Sequence, residues 1–229
     1  MSWAEIFKIN KNMRRSLDEQ LQDMKFQPIR VITANTTYTP EKTGLYKIIC
    51  VGKGGYGYAS VNSGSQVQAW SGGGGGVAIK TIRMTKGDNC NITVGTTASF
   101  VKGDISISAT AGGNGTWNAG TVVGGSGAGG DYNYTGENGA YMNDIYVCPI
   151  GGSVGVYISD LHERGIGTIT LGGNDSRDTP VTVMYTMGRS ILGFGGGGSS
   201  GAYSDYSYGG VDVDGLPAAV LIIPIEMEE

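Results

Sequence analysis

Five consecutive glycines, Gly72-Gly73-Gly74-Gly75-Gly76, run without a break into Val77-Ala78-Ile79-Lys80-Thr81-Ile82-Arg83-Met84, a stretch that reads as a strand. In an ordinary helix or strand each glycine costs about 0.5–1 kcal/mol relative to alanine, with no side chain to offset the loss. The run must therefore be ordered by something else, or act as a flexible spacer of the Gly/Ser kind. Its position between apolar strand patterns argues against a spacer, and so do two further glycine regions, 112–130 and 193–201. The expectation is that the glycine segments pack against one another within a β fold and form a presenting surface.

The 42 glycines among 229 residues are about two and a half times the usual share of roughly 7%, whereas charged residues make up only 16%. The glycines follow no G-x-y period and prolines number only 6, which excludes collagen. Intervening segments rich in Val, Ile, Thr and Tyr argue against disorder. A net charge of −4 offers no basic field for phosphates, so no nucleic-acid partner is expected. Cys50, Cys90 and Cys148 are widely spaced, without a C-x-x-C pair, and are expected as buried free thiols. The opening Met1-Ser2-Trp3-Ala4-Glu5 lacks a signal-peptide apolar run, and the longest apolar stretch, 216–225, is broken by Pro217 and Pro224. Neither Sec export nor a membrane span is expected.

The chain divides into an N-terminal helix, 1–28, and a glycine-rich β domain, 29–229. From about Ser2 to Lys25, Trp3, Asn10, Leu17 and Met24 share one heptad position and Ile6, Met13 and Gln20 the other, a seam apolar except at Asn10 and Gln20. At ~1.5 Å per residue the helix is roughly 35 Å long. It suits either a coiled coil for oligomerisation or packing on its own domain or a partner. Pro28 ends it.

From Ile29 the period becomes alternating. Expected strands cover 30–33, 46–51, 77–84, 90–94, 105–109, 145–148, 154–158, 168–171, 181–185 and 219–223, with 85–89 read as a hairpin turn joining 77–84 to 90–94. A second hairpin is expected around Lys102-Gly103-Asp104. Many short strands with turn signals imply a mainly β, sandwich or jelly-roll-like domain carrying packed polyglycine segments.

Catalytic signatures find little support. Gly52-Lys53-Gly54-Gly55-Tyr56-Gly57 fits G-x-G-x-x-G, but Tyr58-Ala59-Ser60-Val61-Asn62-Ser63-Gly64 cannot start the helix that a dinucleotide site requires. The single histidine, His162, excludes a multi-histidine metal centre. Asp212-Val213-Asp214-Gly215 and Asn174-Asp175-Ser176-Arg177-Asp178 lack the full calcium-loop pattern and read as solvated turns. The chain is thus expected not to be an enzyme, and to need no metal or cofactor. Aromatic residues carry more information. Tyr56, Tyr58, Trp70, Trp117, Tyr132, Tyr134, Tyr203, Tyr206 and Tyr208 lie in or beside the glycine regions. Such rings either cap the glycine layers or form an adaptable binding surface of the Tyr/Ser/Gly/Asn kind.

The opening Met1-Ser2-Trp3-Ala4-Glu5-Ile6-Phe7-Lys8-Ile9-Asn10 resembles the start of tail-fibre proteins of tailed bacteriophages and phage-tail-like bacteriocins. The remainder is similar to their glycine-rich domain: strand 46–51 entering a glycine loop, Gly72–Gly76 leading into 77–84, then Ile92-Thr93-Val94-Gly95 and a last glycine region before 219–223. The resemblance implies a particle-borne adhesin that is commonly trimeric. Residues 1–28 would contact tail or baseplate proteins, and the aromatic residues a bacterial surface glycan or protein. The alternatives are an envelope-polysaccharide-degrading enzyme and a structural baseplate component without receptor binding.

Overall fold

A computed structural model describes residues 29–61, 67–142, 151–154, 156, 162–171, 181–198, 200–201 and 211–228. The expected N-terminal helix, the strand at 145–148, Cys148 and Tyr203, Tyr206 and Tyr208 lie outside the described residues. The described chain is mainly β and contains no helix.

Two five-stranded antiparallel sheets face each other. The first has the order β1 (Arg30–Ile32), β17 (Ala219–Met227), β3 (Gly44–Val51), β6 (Val77–Met84), β11 (Tyr132–Tyr134). The second runs β10 (Gly127–Ala128), β9 (Ile105–Ala109), β8 (Ala98–Lys102), β7 (Cys90–Val94), β2 (Thr36–Tyr38). Their inner faces share a core in which Ile48, Phe100, Ile107, Met84 and Ile222 are essentially sealed from solvent. A second cluster lies on the outer face of the first sheet, where Val154, Ile191 and Phe194 cover Ile49, Val51, Val77 and Leu221. This double cover explains β3. It alternates buried and exposed over Gly44–Lys47, then becomes wholly buried from Ile48 to Val51, where both faces are packed.

Residues 77–84 and 90–94 are strands with the expected bounds, and 98–102 and 105–109 form the expected hairpin, with Gly103 at φ 54° in its turn. The turn at 85–89 is not a hairpin. β6 pairs with β3 and β11, whereas β7 pairs with β2 and β8, so the chain crosses here from one sheet to the other. Of the expected strand 154–158, the described residues Val154 and Val156 belong to no strand and serve as cover for the second core. Alternation alone identifies strands, but sheet membership follows from which face each residue buries, and Met84 and Cys90 bury against the same core.

The glycine segments form a layer at one end of this sandwich. Every backbone N–H from Ser71 to Gly76 donates to a neighbouring segment, and the partners recur every third residue. Ser71 and Gly74 donate to Ala140 and Glu137, Gly72 and Gly75 to Gly198 and Gly195, and Gly73 and Gly76 to Gly113 and Thr110, all at 2.7–3.0 Å. In return Gly73 and Gly76 accept from Gly55 and Gly52, Gly74 from Gly125 and Gly72 from Gly152. The 71–76 segment thus has six neighbours, reached in a threefold rotation. Three residues per turn with no internal hydrogen bonds is the polyproline II geometry. A Cβ built on Gly72 or Gly75 would overlap the Gly55 or Gly52 carbonyl, on Gly73 that of Val123, and on Gly74 that of Ser153. Glycine is therefore required by close packing, and its backbone entropy cost is offset by hydrogen bonds worth about 1 kcal/mol each.

Beyond the glycine layer the chain forms strands again. β4 (Tyr58–Val61), β5 (Val67–Trp70) and β12 (Tyr141–Met142) make a three-stranded antiparallel sheet in the order β12-β5-β4. Several segments run straight through the three layers: β3 continues as 52–57 into β4, and β5 continues as 71–76 into β6. A two-stranded hairpin of β13 (His162–Leu171) and β14 (Val181–Ile191) and a short pair, β15 (Ser200–Gly201) with β16 (Val211–Asp212), complete the described elements.

Candidate functional site

The small outer sheet brings aromatic residues into one row. Tyr58 of β4 and Tyr141 of β12 both stand in register with Trp70 of β5. Cross-strand neighbours on one face of an antiparallel sheet bring their Cβ atoms within about 5 Å. The Trp70 ring accordingly lies 5.0 Å from Tyr141 and 6.2 Å from Tyr58, centroid to centroid, both tilted. Trp117 meets it nearly edge-on at 5.9 Å from the turn 116–119. Both the tilted and edge-to-face arrangements suit the ring quadrupoles.

Trp70 is the support of this cluster. It is 2% exposed, and its indole N–H donates to the Ala119 carbonyl at 2.8 Å, which fixes the turn that carries Trp117. Glycine again permits the approach: a Cβ on Gly115 would press on the Trp70 backbone and on the Tyr58 amide. The exposed members are Trp117 (37%), Tyr141 (46%) and Met142 (41%). Tyr58 is half-buried, and so is Tyr56, whose backbone amide is held by the Asn114 side chain at 3.1 Å.

The structure distributes the remaining sequence candidates differently. Tyr132, 63% exposed, and Tyr134 sit on β11 at the edge of the first sheet, opposite Ile79 and Val77, and Tyr134 packs on the second core. They belong to the sandwich layer and not to the ring cluster. Tyr203, Tyr206 and Tyr208 fall outside the described residues, although β15 and β16, the strands on either side of them, pack beside β4. Tyr141 and Met142 went unnoticed in sequence. The signal that could have found them is the short segment Gly136-Glu137-Asn138-Gly139-Ala140 just before, which joins the glycine layer and delivers them next to Trp70.

The ion pairs are separated from the rings. Among the described residues the ion pairs Arg30–Glu41, Lys80–Asp131, Lys102–Asp88 and Arg83–Glu228 all lie on the sandwich. The Thr85 amide and the Lys102 ammonium hold the Asp88 carboxyl below its usual range, and the Thr81 amide and Lys80 do the same for Asp131. Burial pushes the Cys50 thiol up to about 12 and the Cys90 thiol up to about 11, so neither is a thiolate nucleophile at neutral pH. Among the described residues no group of three His, Cys, Asp or Glu side chains could hold a metal, and no helix is long and apolar enough to cross a membrane. A shallow cavity of about 430 Å³ lies between Thr33, Lys53, Thr96, Asp214 and Pro217, where the glycine layer meets the sandwich. Comparison of the sequence with protein-family models and with curated proteins finds no match.

Proposed function

We propose that this chain is a receptor-binding fibre or tip protein of a tailed bacteriophage or phage-tail-like particle. In this reading residues 1–28 form the helix that attaches it to tail or baseplate proteins or to sister chains in a trimer, and the ring cluster contacts the bacterial surface. The observation that carries the reading is the polarity of the fold. Arg30 pairs with Ile222 and Ile32 with Val220, while Ala219 pairs with Val51 at the edge of the glycine layer. β1 therefore runs through the sandwich toward that layer, and the rings lie on the layer's other side. Between them the glycine layer, at about 3.1 Å per residue, adds a hydrogen-bonded spacer roughly 19 Å thick. A binding tip held far from its anchor on a stiff support is what an adhesin needs, since rigid neighbours keep surface loops positioned.

Labelled full-length protein incubated with a panel of bacterial strains tests this. Binding to some strains and not others is expected. Absence of binding to every strain would favour a purely structural component. Release of reducing ends from capsular or cell-wall glycan would favour a polysaccharide-degrading enzyme.

A further inference from the structure

Resting on that reading, we infer that the ring cluster of Tyr58, Trp70, Trp117 and Tyr141 recognises an uncharged sugar, by stacking and neutral hydrogen bonds, and uses no ion pair.

The sheet and the turn that carry the rings are themselves uncharged. Within the outer sheet and the turn 116–119 there is no lysine, arginine, aspartate or glutamate. In sequence, no lysine or arginine lies between Lys53 and Lys80, between Lys102 and Arg164, or after Arg189. Among the described residues, the β15–β16 pair that packs beside β4 carries Asp212 and no lysine or arginine. Among the described residues of the outer sheet and the turn 116–119, a phosphorylated or uronic polymer would find no lysine or arginine to pair with. Glu137, the acidic residue of the glycine layer nearest β12 in sequence, has its carboxylate engaged by the Ser153 amide at 3.2 Å.

What the site offers is ring area and neutral polar groups. Trp117, Tyr141 and Met142 give exposed apolar surface, and a ring carrying a hydroxyl offers area at low entropy cost. Asn114 and Asn118 flank the rings from the same loop and are exposed, with Asn118 held at φ 53°. On the face of β5 that carries Trp70, Gln68 holds a buried side-chain oxygen with no hydrogen-bond donor. Amides and phenols both donate and accept, as sugar hydroxyls do, while the C–H faces of a pyranose match flat rings. Because the support, Trp70, is fixed by its own hydrogen bond, the rings are ordered before the ligand arrives, which lowers the entropy cost of binding.

The test uses the full-length protein on a strain that it binds, with binding followed from about 0.05 M to about 0.5 M NaCl, a range over which exposed ion pairs are screened out. Affinity is expected to change less than about twofold across that range. It should be lost after mild periodate treatment of the cells and kept after protease treatment. Trp117→Ala and Tyr141→Ala should each weaken binding about tenfold, and Tyr141→Phe should retain most of it, with unchanged melting temperatures as the folding control. Binding that falls steeply with salt, survives periodate, disappears with protease, or is competed by chitosan oligosaccharide or polygalacturonate overturns the inference and leaves the adhesin reading intact. Absence of binding to any strain removes both.

Discussion

Met84 and Cys90 bring their sulfur atoms to 3.6 Å in the sandwich core, although the strands that they end and begin belong to opposite sheets. The connection between them holds this geometry by local bonds. Asp88 accepts the Thr85 amide at 2.7 Å, Gly87 takes φ 89°, and its N–H donates to the Pro40 carbonyl at 3.1 Å.

This contact joins the two sheets at a corner, so Cys90→Ser should destabilise the fold. It would bury a hydroxyl where the thiol packs as a small apolar group, and burying a polar group without a good partner costs about 1–3 kcal/mol. Met84→Ala should cost about 2–5 kcal/mol by leaving a cavity. Denaturant unfolding of the two variants measures both. A Cys90→Ser variant as stable as the parent would mean that the corner does not hold the sheets.

The glycine layer makes a sharper prediction because not all glycines are alike. Gly74→Ala places a methyl group on the Ser153 carbonyl, against backbone that cannot move without breaking bonds on several sides. Overpacking together with disturbed hydrogen bonds should cost about 3 kcal/mol or more. Gly95 and Gly120 have open space where a Cβ would stand and no positive φ, so alanine there should be neutral or stabilising by about 0.4–1 kcal/mol. Melting temperatures of the three variants decide. Equal tolerance at Gly74 and Gly95 would mean that the layer is loosely packed.

How much of this was legible in the sequence depends on where the physical constraint acts. Val77–Met84, Cys90–Val94 and the 98–109 hairpin carry alternation and turn residues, which act locally, so their bounds could be read. β4 and β5 could not. Tyr58-Ala59-Ser60-Val61 and Val67-Gln68-Ala69-Trp70 are short and show no apolar/polar alternation, and they pair because the glycine segments that continue from them are already side by side. The same reason hid Tyr141: its place beside Trp70 follows from the path of residues 136–140 through the layer, a long-range fact. Gly72–Gly76 did announce packing, since so long a run has no other way to be ordered. Which six segments surround it depends on the threefold rotation of the backbone and on where each segment enters.

Stability should also fall at acid pH in a defined window. The folded pKa values of Asp88 and Asp131 are depressed below the unfolded value of about 3.9, Asp88 first by the Thr85 amide and Asp131 first by the Thr81 amide. Their contribution is therefore complete above about pH 4 and is lost as the pH falls below it through the folded values. Asp88→Asn and Asp131→Asn should lower the melting temperature at pH 7 and have progressively less effect below about pH 4. A difference from the parent that is constant across that range would show that these carboxylates matter for packing and not for charge.

The last prediction concerns residues 1–28, whose seam of Trp3, Ile6, Asn10, Met13, Leu17 and Met24 is proposed to attach the chain or join copies of it. Deletion of residues 2–25 leaves the described sandwich, glycine layer and ring cluster complete, because their cores are built from residues after Ile29. The shortened protein should melt cooperatively and bind cells through its rings, but with reduced avidity if sister chains no longer present several tips together. Light scattering on full-length and shortened protein gives the mass directly. A drop from an oligomer to a single chain is expected if the seam is shared between copies. An unchanged monomer mass, with loss of incorporation into particles, assigns the seam to a tail or baseplate partner instead. A shortened protein that no longer folds would mean that the seam packs on its own domain, and would remove the attachment role.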